Sequence, residues 1–222
     1  MKKIFLIAGL ALFSMAAHSQ ETYQEKDPKA KGILDKLSKK HQSLDNIVID
    51  FTATFSGARI KKQVLKGTAY KAGKKYAYYT PDYIVVNNGR YNWLFVKSEN
   101  EVTITSNEDA EEENGLISPS KLMSIWEKGF KYQFIGEGKV GNKTLQEVRL
   151  FPDNPKKSKY HTITLIIDKV QNELSEVTIK GRDGVNMNYD INSFKSSQSI
   201  SSSKFTFDKS KYPNCTENDQ RF

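Results

Sequence analysis

Hydrophobic and polar residues alternate along most of this chain, beginning with "NIVIDFTATFSG" at residues 46–57. Alternation with a period of two over about ten residues is typical of a β-strand with one buried face. Similar short runs recur up to "SKFTF" at residues 203–207, and Asn, Asp and Gly residues separate them. The pattern predicts about eleven or twelve antiparallel strands with short connections, and therefore one large curved sheet or barrel.

One pair of runs has the form of a hairpin. In "YIVVNNGRYNWLFV", at residues 83–96, two apolar stretches flank Asn88 and Gly89. An Asn-Gly pair between two strands favours a type I′ turn, because both residues tolerate a positive φ. We therefore predict a tight hairpin with a type I′ turn at Asn88–Gly89.

Two segments depart from the alternating pattern and favour helices. Asp27 suits an N-cap and Pro28 the first helical position, and the apolar residues that follow have helical spacing, so a helix is predicted over 28–43. The stretch "SPSKLMSIWEKGF", at residues 118–130, begins with Ser-Pro and has Gly129 near its end. A second, short helix is predicted here, and its apolar face is formed by Leu122, Ile125 and Trp126.

The apolar faces of the predicted strands point to a common interior. An ordinary packed core is one interpretation of these residues. A curled sheet of about a dozen strands, however, is too wide for its own side chains to fill, which favours an apolar cavity covered by the short helices. The residues predicted to line this interior are Ile47, Ile49, Phe51, Phe55, Tyr76, Tyr78, Trp93, Phe95, Ile163, Leu165 and Ile167.

The first 19 residues have the features of a secretory signal peptide. Two lysines precede a short apolar run, and the segment ends in "AHS" at residues 17–19. We therefore expect residues 1–19 to be removed on export and residues 20–222 to form a single domain. Without Lys2 and Lys3 the formal charge of +8 falls to +6. A basic surface favours acidic or anionic partners, but export argues against nucleic acid.

No pattern of catalytic or metal-binding residues is present in the sequence. The chain lacks a G-x-S-x-G motif and a glycine-rich phosphate loop, and His41 and His161 have no zinc-ligand spacing. The acidic residues of 107–117 do not follow the order of a calcium loop, and Cys215 is expected in a tail position. We therefore predict a binding protein with no cofactor, no metal and no catalytic residues, rather than an enzyme.

Several segments, in order, resemble the LolA family of periplasmic carriers of outer-membrane lipoproteins. They include "SLDNIVIDFTATF", "GTAYKAGKKYAYYTP", "VVNNGRYNWLF", "ISPSKLMSIWEKGF" and the closing "NDQRF". The similarity runs from about residue 27 to residue 222, which is nearly the whole exported chain. The resemblance implies an unclosed antiparallel β-barrel covered by helices, with an apolar cavity for acyl chains. It places Phe51 and Tyr76 among the aromatic residues that line this cavity.

The resemblance also implies a lid over the cavity. Leu122, Ile125 and Trp126 match the lid helix of the family. The arginine that latches the lid in other members aligns with Ala72 here, so Lys71 or Lys74 is the candidate latch. Lysine lacks the planar donor fork of arginine, so its hold on a lid would be less directional.

The resemblance finally implies a function and its partners. The protein is expected to be a periplasmic monomer that takes acylated lipoproteins from an inner-membrane ABC releasing complex and delivers them to an outer-membrane lipoprotein receptor. A binding module for another lipid or amphiphile, or an envelope sensor with the same fold, is the alternative.

Overall fold

The structure is a computed structural model that describes residues 27–106 and 123–221. One α-helix and twelve β-strands are formed in these residues, together with two short 3-10 helices at Ser202–Phe205 and Lys209–Lys211. The predicted signal peptide, the acidic residues 107–117 and Leu122 lie outside the described residues.

Helix α1 is Pro28–Gln42, within one residue of the prediction. The carboxylate of Asp27 accepts hydrogen bonds from the backbone N–H groups of Lys29, at 2.8 Å, and Ala30, at 3.3 Å. These bonds satisfy two of the amide donors that a helix start leaves unpaired. The same carboxyl group also accepts from the N–H of Phe134 at 2.8 Å, so the cap ties α1 to a strand. Backbone hydrogen bonds hold the pKa of Asp27 below its usual value, against the effect of burial.

All twelve strands belong to one sheet. In chain order the strands β1 to β12 are Asn46–Gly57, Ile60–Ala72, Lys75–Tyr79, Tyr83–Asn87, Tyr91–Val96, Glu101–Ser106, Phe130–Val140, Lys143–Pro152, Tyr160–Asp168, Glu173–Gly181, Asn186–Ser196 and Thr216–Asp219.

The sheet has the order β12-β6-β5-β4-β3-β2-β1-β11-β10-β9-β8-β7, so it does not close on itself. β1 lies in its middle and joins two antiparallel meanders through its pairing with β11. The predicted architecture of an unclosed, mainly antiparallel sheet is confirmed. One strand differs, because β12 runs parallel to β6. A short hairpin connection forces two neighbouring strands to be antiparallel. No hairpin joins β6 to β12, so β12 can run parallel to it.

The predicted hairpin is formed by β4 and β5, but its turn differs from the prediction. The strands separate after the pair Asn87 and Asn92, which leaves more than two residues in the connection. Gly89 has a φ of +91°, whereas Asn88 is not among the residues with positive φ, so the turn is not type I′. The N–H of Asn88 donates to the carbonyl oxygen of Tyr91 at 3.2 Å, so the chain turns at Gly89 and Arg90. The Asn88 side chain also accepts from the N–H groups of Arg90 and Tyr91.

The two faces of the sheet are covered by different parts of the chain. On the inner face, α1 packs over β8 to β11 through Ala30, Leu34 and Leu37, all of which are buried. On the outer face of β3 to β6, the segment after β11 packs against the strands through Phe205 and Cys215. Cys215 is therefore a buried residue of this outer core and not part of a loose tail.

Gly67 on β2 leaves room for the ring of the facing Phe51. A Cβ atom at this position would lie 2.8 Å from Phe51 Cζ and 2.8 Å from the carbonyl oxygen of Tyr79. We predict that Gly67→Ala lowers the free energy of unfolding by about 1–3 kcal/mol, measured by urea denaturation, because it overpacks the interior. The matched control is Gly32→Ala in α1, where a Cβ would meet nothing within 4 Å.

The control variant should change the free energy of unfolding in the opposite direction. Alanine in an exposed helix interior is favoured over glycine by roughly 0.8–1 kcal/mol, so Gly32→Ala should raise the free energy of unfolding. Equal stability of Gly67→Ala and the wild type would contradict the close packing of Phe51 on β2.

Candidate functional site: an apolar cavity beneath the helix

An apolar cavity lies on the inner face of the sheet, between the two meanders. Its enclosed part has a volume of about 60 Å³, and about 770 Å³ is reached when the space open to solvent is included. The lining residues are His41, Ile49, Phe51, Ala53, Phe55, Leu65, Ala69, Tyr78, Thr80, Tyr83, Met123, Leu174, Val177, Tyr189, Ile191 and Phe194.

Strand register explains how these residues meet. Side chains directly opposite each other on paired strands share a face, so they form rows across the sheet. One row runs from Val177 through Tyr189 and Ala53 to Leu65. A second row runs from Ile49 through Ala69 to Tyr78. The small residues Ala53 and Ala69 stand in the middle of rows of larger ones, and the space above them becomes the cavity.

Few polar groups border the cavity, and each is neutral or already bonded. The hydroxyl group of Thr80 donates to the carbonyl of Tyr83 at 3.0 Å and accepts from its N–H at 2.9 Å. Burial raises the pKa of the Tyr78 hydroxyl, which therefore stays protonated. The cavity is suited to an alkyl chain and unsuited to a charged group.

His41, near the end of α1, lies at the boundary between the cavity and its cover. Its ring stacks on Phe194 with the centroids 5.8 Å apart and lies 5.8 Å from the ring of Trp126. Nδ1 of His41 is 3.3 Å from the carbonyl oxygen of Met123. Burial lowers the pKa of His41, and the charges of Lys40 and Lys71 lower it further, so the ring is neutral near pH 7.

Residues 123–129, called here the cover segment, hold Met123 over the cavity. Ile125 and Trp126 of this segment are buried against α1 in the core that contains Leu34 and Leu37. The indole N–H of Trp126 donates to the hydroxyl of Ser38 at 2.7 Å, which adds a polar link to α1. Within the described residues, the cavity is thus covered by α1 and by the cover segment.

Neither a metal site nor a membrane-spanning helix is found in the part of the chain that the structure describes. No three His, Cys, Asp or Glu side chains in residues 27–106 and 123–221 are placed to hold a metal ion. No helix within these ranges is long and apolar enough to cross a bilayer.

The comparison with protein families fits this architecture. The family model described as outer membrane lipoprotein carrier protein LolA matches residues 20–185. The chain belongs to the LolA family. The family model confirms the resemblance predicted from the sequence. A separate comparison with curated proteins found no match.

Several solved structures are similar to this LolA-family chain at low sequence identity. An uncharacterized conserved protein from Thermus thermophilus has 10% identity and a TM-score of 0.57, covering 86% of this chain and 99% of its own. A LolA superfamily protein from Nitrosomonas europaea has 11% identity and a TM-score of 0.42, with 80% and 97% covered. The Mycobacterium tuberculosis lipoprotein LppX has 10% identity and a TM-score of 0.48, with 79% and 99% covered. At such identity, the likeness to the Thermus protein shows the fold alone.

The structure places the predicted cavity residues in four environments. Four of them line the cavity, namely Ile49, Phe51, Phe55 and Tyr78. Ile47 and Tyr76 lie beside it, packed with the same group of inner-face residues. Ile163, Leu165 and Ile167 are buried on the inner face among the core residues that pack with α1, and they do not line the cavity.

Trp93 and Phe95 lie on the opposite face of the sheet, which corrects their predicted position. Both belong to the outer core with Phe205, and the ring centroids of Phe95 and Tyr212 are 4.2 Å apart. The cause is that β4 and β5 are covered on both faces, so apolar residues occur on both faces and alternation cannot assign one.

The lid residues and the candidate latch are also placed differently from the expectation. The described part of the predicted helix over 118–130 consists of turns and bends, and Leu122 lies outside the described residues. Ile125 and Trp126 anchor the cover segment on α1, whereas Met123 lines the cavity. Lys71 is half-buried near His41 and Lys74 is exposed in the β2–β3 turn, and neither forms an ion pair with a described residue.

Sequence reasoning missed several of the lining residues. β11 alternates as regularly as β1, with Met187, Tyr189 and Ile191 at period two, so this signal could have identified two of them. Phe194 breaks the period because a bulge in the pairing of β1 and β11 shifts the register. His41 and Met123 have no signal in the periodicity, since their role depends on how α1 meets the cover segment.

The lowered pKa of His41 predicts a loss of stability at acid pH. The unfolded chain takes up a proton near a pKa of about 6.5, whereas the folded chain resists it, so the free energy of unfolding should fall as the pH drops below this value. We expect His41→Phe to lose less of its unfolding free energy than the wild type between about pH 7 and about pH 5. Urea denaturation at each pH measures the difference.

The control is His161→Phe, which changes a histidine on the exposed side of β9. This variant should keep the acid loss of the wild type. If His41→Phe and His161→Phe had the same pH dependence, burial of a neutral His41 would be contradicted.

Proposed function

We propose that this protein is a periplasmic carrier that binds the acyl chains of lipoproteins and transfers them between membranes without covalent chemistry. The observation that supports this function is the apolar cavity beneath α1 and the cover segment. Membership of a family described as outer membrane lipoprotein carriers supports the same conclusion. In this function an inner-membrane ABC releasing complex supplies the cargo, and an outer-membrane receptor accepts it.

The energetics of acyl transfer require such a cavity. Exposing an acyl chain of about 16 carbons to water costs about 0.8 kcal/mol of free energy per methylene, or roughly 13 kcal/mol in total. Aromatic and aliphatic walls offset this cost by taking the methylenes out of water. The lining of Phe51, Phe55, Leu65 and Tyr189 meets this requirement with almost no competing polar surface.

Cargo entry needs the cavity to widen. The enclosed part of the cavity, about 60 Å³, is far smaller than the roughly 300–1,000 Å³ of ordinary ligand sites. The cover segment joins α1 through the Trp126–Ser38 and His41–Met123 contacts, with one further bond from Gln42 to Glu127. Movement of this segment on α1 admits an alkyl chain without disrupting the sheet.

Adjacent residues on β2 provide a matched test of the cavity. Leu65 lines the cavity, whereas Val64 points to solvent from the other face and is 52% exposed. We predict that Leu65→Trp weakens binding of an N-palmitoylated peptide by about tenfold or more, because displacing two or three methylenes costs about 0.8 kcal/mol each. Val64→Trp should bind like the wild type. Isothermal titration calorimetry measures both affinities, and circular dichroism verifies folding.

The identity of the cargo is tested by co-purification from the periplasm. Acylated lipoprotein held by the wild type and lost from Leu65→Trp supports the carrier function. Free lipid alone would favour the alternative, a binding module for another amphiphile or a sensor with this fold. No loss of peptide affinity in Leu65→Trp would show that acyl chains bind elsewhere.

A further inference from the structure

His41 has a buried ring nitrogen without a hydrogen-bond partner among the described residues. The residue is 6% exposed and lines the cavity, and the unpartnered atom is Nε2. Only one other buried side-chain atom in the described ranges, Oγ1 of Thr105, shares this condition. A buried polar atom without a partner is destabilising, so its presence points to a partner that is bound at another stage.

The hydrogen bond at the other nitrogen defines which kind of partner Nε2 can take. The carbonyl oxygen of Met123 can only accept, so Nδ1 of His41 carries the proton in this 3.3 Å contact. A neutral imidazole has one N–H group, and Nε2 is therefore a lone-pair acceptor. The partner of Nε2 must be a donor, which excludes an ester carbonyl and a carboxylate.

The charges around His41 keep it in this form. Lys40 and Lys71 oppose a positive charge on the ring, and Glu173 favours one. The carboxylate of Glu173 is already paired with Lys40 at 2.6 Å, so it is a weak partner for an imidazolium. Burial together with the two lysines lowers the pKa of His41.

We propose that Nε2 of His41 accepts a hydrogen bond from an N–H or O–H group next to the bound acyl chain, so that the cavity selects amide-linked acyl groups over ester-linked ones. This selection rests on the proposed function, since it assumes that the cavity holds an acyl chain. It makes His41 a specificity-determining residue for the class of cargo.

Two nearly isosteric probes test the selection. N-methylpalmitamide offers an N–H group where methyl palmitate has an ester oxygen. We expect the ratio of the ester Kd to the amide Kd to fall by roughly three- to tenfold from the wild type to His41→Phe, because one neutral hydrogen bond is lost. Comparing ratios removes the difference in water solubility between the probes. Phenylalanine keeps a flat ring for contact with Phe194 and Trp126.

A second experiment uses the wild type alone, so it tests the proposal even if His41→Phe does not fold. With ¹⁵N-labelled histidine, only His41 and His161 remain once the predicted leader, which contains His18, is removed. The Nε2 resonance of His41 should shift on addition of N-methylpalmitamide and shift much less with methyl palmitate. Equal shifts, or an unchanged Kd ratio, would overturn the selection while leaving acyl binding intact. No binding of either probe would instead contradict the proposed function.

A separate observation concerns one end of the sheet, where three connections meet. The β1–β2 turn touches the β10–β11 connection, since a Cβ on Gly57 would lie 2.6 Å from the carbonyl oxygen of Gly184. The β10–β11 connection in turn meets the β8–β9 connection, because the N–H of Arg182 donates to the carbonyl of Lys159 at 2.9 Å. We call residues 58–62, 153–159 and 182–185 together the basic end.

The basic end concentrates positive charge. It contains seven Lys and Arg residues and two carboxylates, giving a formal charge of +5, close to the +6 expected for the whole exported chain. Six of the cations form no ion pair with a described residue: Arg59, Lys61, Lys62, Lys156, Lys157 and Arg182. All six are exposed. The fold therefore brings cations from three separate segments of the sequence together at one end of the sheet.

We infer that the basic end docks on an anionic lipid surface. Ile60 is 39% exposed between Arg59 and Lys61, so the turn presents an aliphatic group flanked by cations. This combination suits a headgroup layer, where the cations meet phosphates and the side chain enters the acyl boundary. An acidic protein would match the charge but would have no need of the exposed Ile60.

Vesicle sedimentation tests the docking. The wild type should bind vesicles of phosphatidylcholine and phosphatidylglycerol in equal amounts, bind pure phosphatidylcholine weakly, and dissociate at high salt. Lys61→Gln with Lys62→Gln should weaken the binding roughly 30-fold, since each lysine near the surface contributes about 1 kcal/mol. The matched control, Lys36→Gln with Lys39→Gln, removes two exposed lysines from α1. Equal losses in both double variants, or no binding by the wild type, would overturn the docking.

Discussion

The rest of the structure depends on how a twelve-stranded open sheet buries apolar side chains on both of its faces. Among the described residues, one α-helix covers the inner face, and the segment after β11 covers part of the outer face. The outer face of β3 to β6 is filled by aromatic packing around Phe95, Phe207 and Tyr212. The inner face is only partly filled by α1, and the remaining space is the cavity.

The sequence predicts well the elements in which burial is one-sided. β1 alternates, α1 has its cap and its apolar stripe, and both were expected within one or two residues. The site was predicted less well, because a local pattern shows which side chains are buried but not which of them border empty space. Ile163 and Ile49 have similar sequence contexts, yet one packs with the core beneath α1 and the other borders empty space. Only the strand register and the position of α1 distinguish them.

Contacts between segments that are distant in the chain could not be predicted from the sequence either. His41 and Met123 are separated by 82 residues, and their contact depends on the path of the chain over the sheet. The face of Trp93 and Phe95 could not be assigned because β5 is apolar on both sides. Local patterns specify a strand, whereas the choice of face requires knowing what covers it.

The central position of β1 also determines when the cavity can form. Each meander is built from neighbouring strands and consists of local contacts, but the β1–β11 ladder pairs Ile47 with Ser196 across about 150 residues of chain. Contacts of such long sequence separation are entropically costly and slow to form. Ala53 and Tyr189 face each other only across this ladder. A chain that has folded its two halves separately therefore lacks the cavity, which is complete only once the β1–β11 ladder has formed.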